Sequence, residues 1–315
     1  MNDIYIVTPC YNDWEALSLL LINIDKKNAQ AKQKIHMLIV NDGSIQENNF
    51  DWSKLPNISE IILIDLIRNV GHQRAISIGL AYINECCKNY AGVIVMDCDG
   101  EDDPADIFRL ISKLPAKEIV FAKRRKRKEK LIFRFFYSIY KFIFKLLTGY
   151  NIQSGNFSLI PQVLLNKVVH LNEIWNHYYA GIVKSRLPIQ YLDCNRTPRY
   201  ASCSKMNFAA LVIHGLSAVS VFNEIMFVRL IIFFIEFFII SVLILSAILI
   251  SRFTFNPVAP PGWATIVAGI IVLLCVQFIA LAANFAFLTL GWRNINTILP
   301  AKEYQSYILR VKKYS

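Results

Sequence analysis

Charge is scarce in this chain of 315 residues: charged residues make up 18% of it and hydrophobic residues 55%. The mean hydropathy of +0.38 is too high for an ordinary soluble enzyme. The deficit is uneven, because residues 228–290 are nearly free of charge while the first half alternates polar and apolar residues. The composition therefore predicts one folded domain of about 200 residues joined to a membrane segment.

Several common signatures are missing. The seven cysteines show no zinc or redox spacing and their number is odd, which favours reduced structural thiols in a cytosolic compartment. No signal peptide precedes the first strand-like run, so we expect the N-terminal domain to stay in the cytosol. Walker-type and Gly-x-Gly-x-x-Gly loops are also missing, so neither of these loops competes for a nucleotide.

Positive charge is concentrated in one place. The net charge is +11, and in residues 123–130 only Glu129 is not basic. Residues 131–148 follow as an apolar, aromatic helix whose polar stripe consists of Arg134, Ser138, Lys141 and Lys145. The pair of features predicts an interfacial amphipathic helix that meets a membrane or a phosphate group, and no nucleic-acid partner.

Two apolar runs, residues 227–251 and 263–290, are long enough for transmembrane helices. The Pro- and Gly-containing segment between them predicts a short loop, and residues 206–226 predict a juxtamembrane interfacial helix. The tail, residues 291–315, carries more Lys and Arg than the loop. The positive-inside rule thus places both termini and the catalytic domain on the cytoplasmic side of the plasma membrane. Glu236 inside the first span is expected either to pair with Arg229, two turns away, or to face a neighbouring subunit in a homo-oligomer.

The first 205 residues alternate strands and helices. Strands are expected at residues 4–8, 34–40, 61–66, 92–96 and 118–122. This rhythm predicts an α/β fold with a mostly parallel, Rossmann-like sheet and helices on both faces. Polar clusters follow the strands, and ligands of such sheets bind at the carboxyl ends of the strands. An active site is therefore expected at that edge.

Asp97-Cys-Asp99 directly follows the fourth strand. A strand that runs into a turn can aim two alternate carboxylates at one point. Two hard oxygen ligands suit Mg²⁺ or Mn²⁺, which keep open positions for the oxygens of a diphosphate. We therefore expect a metal-assisted site for a nucleoside diphosphate here.

Five strings carry a resemblance to a known family: Val7-Thr-Pro-Cys-Tyr-Asn-Asp13, Val40-Asn-Asp-Gly-Ser44, Arg68-Asn-Val-Gly-His-Gln73, Met96-Asp-Cys-Asp-Gly-Glu101 and Arg199-Tyr-Ala-Ser-Cys-Ser-Lys205. The chain resembles the inverting family 2 glycosyltransferases of GT-A fold, and within them the polyprenyl-phosphate glycosyltransferases, including dolichol-phosphate mannose synthase. This resemblance implies transfer of a sugar from a UDP- or GDP-linked donor to a polyprenyl phosphate such as undecaprenyl phosphate.

The resemblance also implies roles for single residues. The base and ribose would be held by Pro9, Tyr11, Asp13 and Asp42. Asp97 would lie on the nucleotide side of the metal site, Asp99 would bind the metal, and Glu101 would be a third ligand. Phosphate groups of the donor or the lipid would be met by Arg124, Arg134, Ser138, Arg199 and Lys205.

The chain departs from the family pattern at several positions. Asp99-Gly-Glu-Asp-Asp-Pro-Ala105 stands where the family usually has Asp-Leu-Gln-x-Pro-Pro-Glu, and Asn156-Phe-Ser-Leu159 where it has Asp-Phe-Arg-Leu. A lipid phosphate is already ionised near pH 7, so its transfer needs no strong base. A hydroxyl of a lipid-linked glycan or glycolipid would need one, and Glu101, Asp102 or Asp103 could serve. A non-catalytic membrane scaffold is a third alternative, against which the Asp97 and Asp99 pair argues.

Two aromatic or histidine features also remain open. His72 is interpreted as a packing or helix-capping residue in preference to a catalytic base. Trp175-Asn-His-Tyr-Tyr179 is interpreted as part of a core or membrane-facing helix in preference to a surface that stacks on a sugar.

Overall fold

The computed structural model describes residues 3–124, 131–195, 197–201, 208–254, 262–293 and 298–314, with only the backbone at 124, 131–137, 208–211, 252–253, 290 and 292–293. The chain divides into two compact units. The first comprises Met1–Tyr137, Ile152–Val221 and Thr297–Ser315, and the second comprises Ser138–Asn151 and Phe222–Asn296.

The first unit is built on one mixed sheet, with eight strands among the residues described. The strands are β1 Asp3–Cys10, β2 Ile35–Asn41, β3 Glu60–Leu66, β4 Tyr90–Val95, β5 Ile119–Arg124, β6 Ser158–Pro161, β7 Ile189–Cys194 and β8 Ile308–Tyr314. Their order is β7-β5-β6-β4-β1-β2-β3-β8. The central strands β4, β1, β2 and β3 are parallel, and β6 and β8 run antiparallel to their neighbours. The five predicted strands are confirmed within a few residues at each end.

Successive residues of the central strands face opposite sides of the sheet, and both sides are buried. In β1, Val7 belongs to one apolar cluster and Ile6 to the other. The first cluster packs against α2 His72–Cys86, α5 Gln162–Val169 and α6 Tyr178–Lys184. The second packs against α1 Trp14–Ala31 and α3 Pro104–Ile111. Burial on both faces explains why these strands read as continuous Val and Ile runs.

The C-terminal segment contributes a strand, which the sequence analysis did not anticipate in residues 291–315. After the helix α10 Pro300–Glu303, β8 pairs antiparallel with β3 at the edge of the sheet. Arg310 Nε donates to Asp65 Oδ2 at 2.5 Å, and Asn41 Nδ2 donates to Asp65 Oδ1 at 2.7 Å. The first bond ties the returning chain to β3, and the second ties β3 to β2.

The second unit contains two long apolar helices, α8 Asn223–Thr254 and α9 Trp263–Arg293. Both are long and apolar enough to cross a membrane, with a mean hydropathy of 2.8. Phe234 stacks on Phe278 at 5.1 Å between ring centroids, and Phe227 on Phe285 at 6.2 Å. Phe227 precedes Phe234 in α8, whereas its partner Phe285 follows Phe278 in α9, so the two helices run antiparallel.

Helices are present where the sequence predicts them, as α4 Leu131–Thr148 and α7 Phe208–Ser220. That they lie at a membrane interface stays a prediction. In the second unit, Gly149 ends α4 with a φ of +82°. Arg229 of α8 donates to the carbonyls of Lys145 and Leu146 at 3.2 and 2.7 Å. A cation on the last carbonyls of a helix is favourable, so this arginine holds the end of α4.

Candidate active site

Four loops meet at the carboxyl edge of the sheet, after β1, β2, β3 and β4. Asn12 joins the first two loops, because its backbone N–H donates to Ser44 Oγ at 2.9 Å and its side-chain oxygen accepts from Ile45 N at 2.9 Å. Asn12 has a φ of +49°, a left-handed conformation that asparagine tolerates better than most residues. Ser44, the last residue of the string from Val40 to Ser44, here helps to join the loops.

Asp42 joins the second loop to the third. Its two carboxylate oxygens accept from the backbone N–H groups of Val70 at 2.7 Å and Gly71 at 2.9 Å, and the residue is 2% exposed. Burial raises the pKa of Asp42 to about 6, while the two N–H donors act in the opposite direction. The geometry gives Asp42 a positioning role for the loop Arg68–Gly71, and its predicted contact with a nucleotide stays a prediction.

The guanidinium of Arg199 is bonded to both Asp13 and Asp99. Arg199 donates through Nη2 to Asp13 Oδ2 and through Nη1 to Asp99 Oδ2, the latter at 3.2 Å. The other oxygen of Asp99 accepts from the backbone N–H of Glu101 at 2.9 Å. The structure thus brings together three residues that lie far apart in the sequence, and it places an arginine beside the predicted metal ligand.

The segment that carries Arg199 is fixed to the loop after β4. Thr197 N donates to Glu101 O at 2.9 Å, and Tyr200 N donates to Asp99 O at 3.1 Å. Gly100 has a φ of +78°, and a Cβ built on it would lie 2.2 Å from the ring of Tyr200. The Tyr200 ring therefore packs directly on this glycine, and a side chain at position 100 would not fit.

Asp97 is held by a relay of buried amides. Asn156 Nδ2 donates to Asp97 Oδ1 at 3.2 Å, and Gln73 Nε2 donates to Asn156 Oδ1 at 3.1 Å. Gln73 Oε1 accepts from the backbone N–H of Tyr178 at 2.5 Å. Sequence reasoning had noted Asn156 only as a departure from the family pattern and Gln73 only as part of a string.

The carboxylates fit a divalent cation in part. Asp97 and Asp99 lie two residues apart on the loop after β4, as predicted. Among the described residues, however, no three carboxylate, imidazole or thiolate groups come together as a metal-binding set. Glu101 is therefore not assembled with the two aspartates as a third ligand. A cation held here would take two protein carboxylates and complete its shell with ligand or water oxygens.

The acidic residues that follow are engaged in the fold. Asp103 caps α3 by accepting from the backbone N–H of Ala105 at 2.8 Å, and Asp102 is 3% exposed. Asp102 is thus buried, and one oxygen of Asp103 is engaged as a helix cap. The alternative of a hydroxyl acceptor, with Glu101, Asp102 or Asp103 as its base, stays a prediction.

Three histidines lie beside the relay and were not recognised as a group. The ring of His214, on α7, lies 5.2 Å from that of His72 and 4.6 Å from that of His177. Burial lowers the pKa of His177 to about 3 and that of His214 to about 4, and the neighbouring imidazoles add to both shifts. The Asp97 carboxylate opposes the shift of His214. His177 and His214 are therefore neutral at pH 7.

The remaining predicted site residues lie in different surroundings. Tyr11 is 40% exposed on the first loop, while Pro9 is buried in β1. Ser138 is exposed and belongs to the second unit. Lys205 lies outside the described residues, and the side chains of Arg124 and Arg134 are not described. The string from Trp175 to Tyr179 is core, as the sequence favoured, because its aromatic rings are buried.

The chain is similar in sequence to known glycosyltransferases. Residues 5–170 match the model of the family described as "Glycosyl transferase family 2". A Bacillus subtilis (strain 168) protein, "Uncharacterized glycosyltransferase YkcC", is 25% identical over 231 residues, which are 70% of this chain and 68% of that protein. An "Undecaprenyl-phosphate 4-deoxy-4-formamido-L-arabinose transferase" of Proteus mirabilis (strain HI4320) is 30% identical over 136 residues. That alignment spans 42% of this chain and 40% of the relative.

A solved structure supports the fold. Glucosyl-3-phosphoglycerate synthase from Mycobacterium tuberculosis, in complex with Mn²⁺, UDP-glucose and phosphoglyceric acid, has a TM-score of 0.51 and 13% identity to this chain. The similarity covers 71% of this chain and 80% of that one. Together with the family match, it confirms the predicted α/β fold class.

Proposed function

Because this chain belongs to glycosyl transferase family 2 and is a glycosyltransferase, we propose that it moves a sugar from a nucleotide donor to a polyprenyl phosphate. The observation that carries the proposal is the grouping of Asp13, Asp97, Asp99 and Arg199 at the carboxyl edge of the sheet. The guanidinium of Arg199 on one side, and a divalent cation held by the aspartates on the other, would neutralise the charge of a diphosphate.

The donor is proposed to enter between the first and fourth loops. Exposed Tyr11 offers a ring on which a base can stack, and Asp13, two residues later, is proposed as a partner for the ribose. Arg199 would exchange a carboxylate for a diphosphate oxygen, since its guanidinium can bind either bidentately. The similar M. tuberculosis structure was solved with UDP-glucose, which favours a UDP-linked sugar over a GDP-linked one.

Asp97 and Asp99 are the residues proposed to hold Mg²⁺ or Mn²⁺ together with the donor diphosphate. The Mn²⁺ in the M. tuberculosis structure supports this assignment. A bound cation supplies neutralisation of the charge that develops on the leaving nucleoside diphosphate. The chain's own contribution is to keep both carboxylates oriented: the Glu101 N–H holds Asp99, and Asn156 holds Asp97.

The acceptor is proposed to be undecaprenyl phosphate or a related lipid. An oxygen of its phosphate attacks the anomeric carbon, the bond to the nucleoside diphosphate breaks, and the electron pair leaves with the diphosphate, which inverts the sugar configuration. No proton has to be removed, because the phosphate is ionised near pH 7. Asn156 cannot act as a base, which fits such an acceptor. The P. mirabilis relative, an undecaprenyl-phosphate 4-deoxy-4-formamido-L-arabinose transferase, supports a polyprenyl phosphate as the acceptor.

The membrane is proposed to present this acceptor. Arg124, Arg134, Ser138 and Lys205 are the residues proposed to meet its phosphate, on the basic run, the interfacial helix and the segment after Arg199. The chain leaves the first unit before α8 and returns to it as β8, so two crossings would leave both ends on one face. We assign that face to the cytoplasm from the basic tail, and we retain a homo-oligomer as a proposal from Glu236.

The test uses the full-length protein in detergent with Mn²⁺ or Mg²⁺. UDP- and GDP-linked radiolabelled sugars are screened against undecaprenyl phosphate, and label extracted with the lipid is measured. We expect one donor to give a labelled lipid, and Asp99→Asn to remove at least about 99% of that label. The matched control Asp51→Asn changes an exposed carboxylate outside the site and should retain full activity.

Two outcomes would overturn the proposal. Transfer to a lipid-linked glycan with none to undecaprenyl phosphate would identify a hydroxyl acceptor. Full transfer by Asp99→Asn, or by the wild type after removal of divalent cations, would exclude the metal-assisted reaction at this loop.

A further inference from the structure

The amide relay behind Asp97 has a fixed direction. A backbone N–H can only donate, so the atom of Gln73 that faces Tyr178 N must be the oxygen. Its nitrogen then faces Asn156, whose oxygen accepts at 3.1 Å. The nitrogen of Asn156 is thereby turned to Asp97 Oδ1, and an ionised carboxylate can only accept. A donor at one end and an acceptor at the other leave a single consistent orientation for both amides.

The relay is buried and anchored in parts of the fold that pack together. Gln73 is 6% exposed and Asn156 is 8% exposed. Gln73 lies in the first turn of α2, and its backbone carbonyl accepts from Ser77 Oγ at 2.9 Å. Ser77 Oγ also reaches Ile174 O at 3.0 Å, so the helix is bonded to the segment that precedes Tyr178. A buried network whose members are all bonded specifies one arrangement of its side chains.

We propose that Asn156 is a positioning residue for Asp97, and that the reaction requires an amide at this position. The side-chain N–H of Asn156 donates to one oxygen of Asp97. This bond fixes the orientation of the Asp97 carboxylate, to which the nucleotide donor and its cation would bind. The inference rests on the proposed function only in naming what Asp97 receives. Gln73 is the second positioning residue, because it decides which end of the Asn156 amide points to Asp97.

The chemistry at position 156 admits few alternatives. An ionised Asp could accept from Gln73 but could not donate to Asp97, and it would place a second negative charge about 3 Å from the first. In this chain the amide relay makes Asn the residue that satisfies both neighbours.

The test compares Asn156→Asp, Asn156→Ala and Gln73→Glu in the full-length protein. Gln73→Glu keeps the shape and still accepts from Tyr178 N–H, but it cannot donate to Asn156, whose amide is then free to turn over. Loss of a hydrogen bond to a charged group predicts that kcat falls about 10- to 100-fold in each variant, with the acceptor KM unchanged. Asn84→Asp, an amide-to-acid change on the outer part of α2, is the matched control and should keep wild-type kcat.

A double variant and a measurement of UDP binding distinguish a positioning role of Asn156 and Gln73 from a purely structural one. Because both residues act through one carboxylate, Gln73→Glu combined with Asn156→Ala should lose no more activity than Asn156→Ala alone. Calorimetric titration of UDP in the presence of Mn²⁺, which needs no acceptor, should show weaker binding in all three variants. Unfolding temperatures, measured in parallel, show whether each variant is folded.

The results that would overturn the inference differ from those that would overturn the proposed function. Wild-type kcat in Asn156→Ala, or an additive loss in the double variant, would exclude the positioning role in an enzyme that is otherwise active. A wild-type protein that binds no UDP and labels no lipid would instead overturn the proposed function.

Discussion

Asp42→Asn is the change that most directly tests how the loops of the site are held. The substitution keeps the shape of the side chain and replaces one acceptor oxygen by an NH₂ donor. In the wild type both oxygens accept backbone N–H groups, from Val70 at 2.7 Å and Gly71 at 2.9 Å. In the variant one of these N–H groups faces another donor, so the loop after β3 has to shift.

Two energies of opposite sign set the effect on stability. Losing a hydrogen bond to a charged group costs about 1.5–3 kcal/mol. Burial raises the pKa of Asp42 from 3.8 to about 6, so its charge opposes folding at pH 7 and ceases to do so once the pH falls below about 4. At about 1.4 kcal/mol for each pKa unit, removing that charge returns about 3 kcal/mol. The free energy of unfolding should therefore change by no more than about 2 kcal/mol.

The Asp42→Asn variant should lose much more kcat than its small change in unfolding free energy would explain. The displaced loop leads directly into His72 and Gln73 at the start of α2, and Gln73 orients the relay to Asp97. A misplacement of this kind is expected to lower kcat by about 10-fold or more. The assay measures lipid labelling and the unfolding temperature of the same detergent preparation at pH 7.

Asp25→Asn supplies the matched control. Asp25 is a buried carboxylate that accepts from Asn57 N at 2.7 Å and Asn57 Nδ2 at 2.9 Å, but it lies on α1. This variant should lose stability and keep its kcat per folded molecule. If Asp42→Asn keeps wild-type kcat, or if both variants lose activity only in proportion to stability, the positioning role of Asp42 is refuted.

Two further predictions concern the same edge of the sheet. Gly43→Ala should lower the free energy of unfolding by about 2 kcal/mol or more, because φ is +67° and the new Cβ would lie 2.5 Å from Asn69 N; an unchanged unfolding temperature would contradict this. His177, with a pKa lowered to about 3, stabilises the fold above pH 6.5 and loses that contribution as the pH falls. His177 should therefore account for about 2 kcal/mol of the stability that the wild type loses between pH 7 and 5, and His214, with a pKa lowered to about 4, for a similar amount. His177→Gln should lose about 2 kcal/mol less than the wild type, as measured by chemical unfolding; equal losses would refute the role of His177.

Local hydrophobic patterns were sufficient to predict the strands and helices whose side chains are buried in the core. Central strands such as β1 are buried on both faces, so they read as apolar runs in the sequence. The strand β8 escaped prediction because it lies at a sheet edge, where most of its side chains are exposed. Its partner β3 is also far away in the chain, so no local pattern marks the pairing.

The sequence by itself determined the α/β alternation, the two apolar helices and the identity of the carboxylates, because each depends on the spacing of neighbouring residues. Only the tertiary structure decided which side chains are hydrogen-bonded to these carboxylates. Arg199 lies 100 residues from Asp99 in the chain, and Gln73 lies 83 residues from Asn156. Hydrogen bonds between such residues form only when the sheet brings its loops to one edge. For that reason the donor to Asp97, an amide from a distant loop, could be found only in the folded chain.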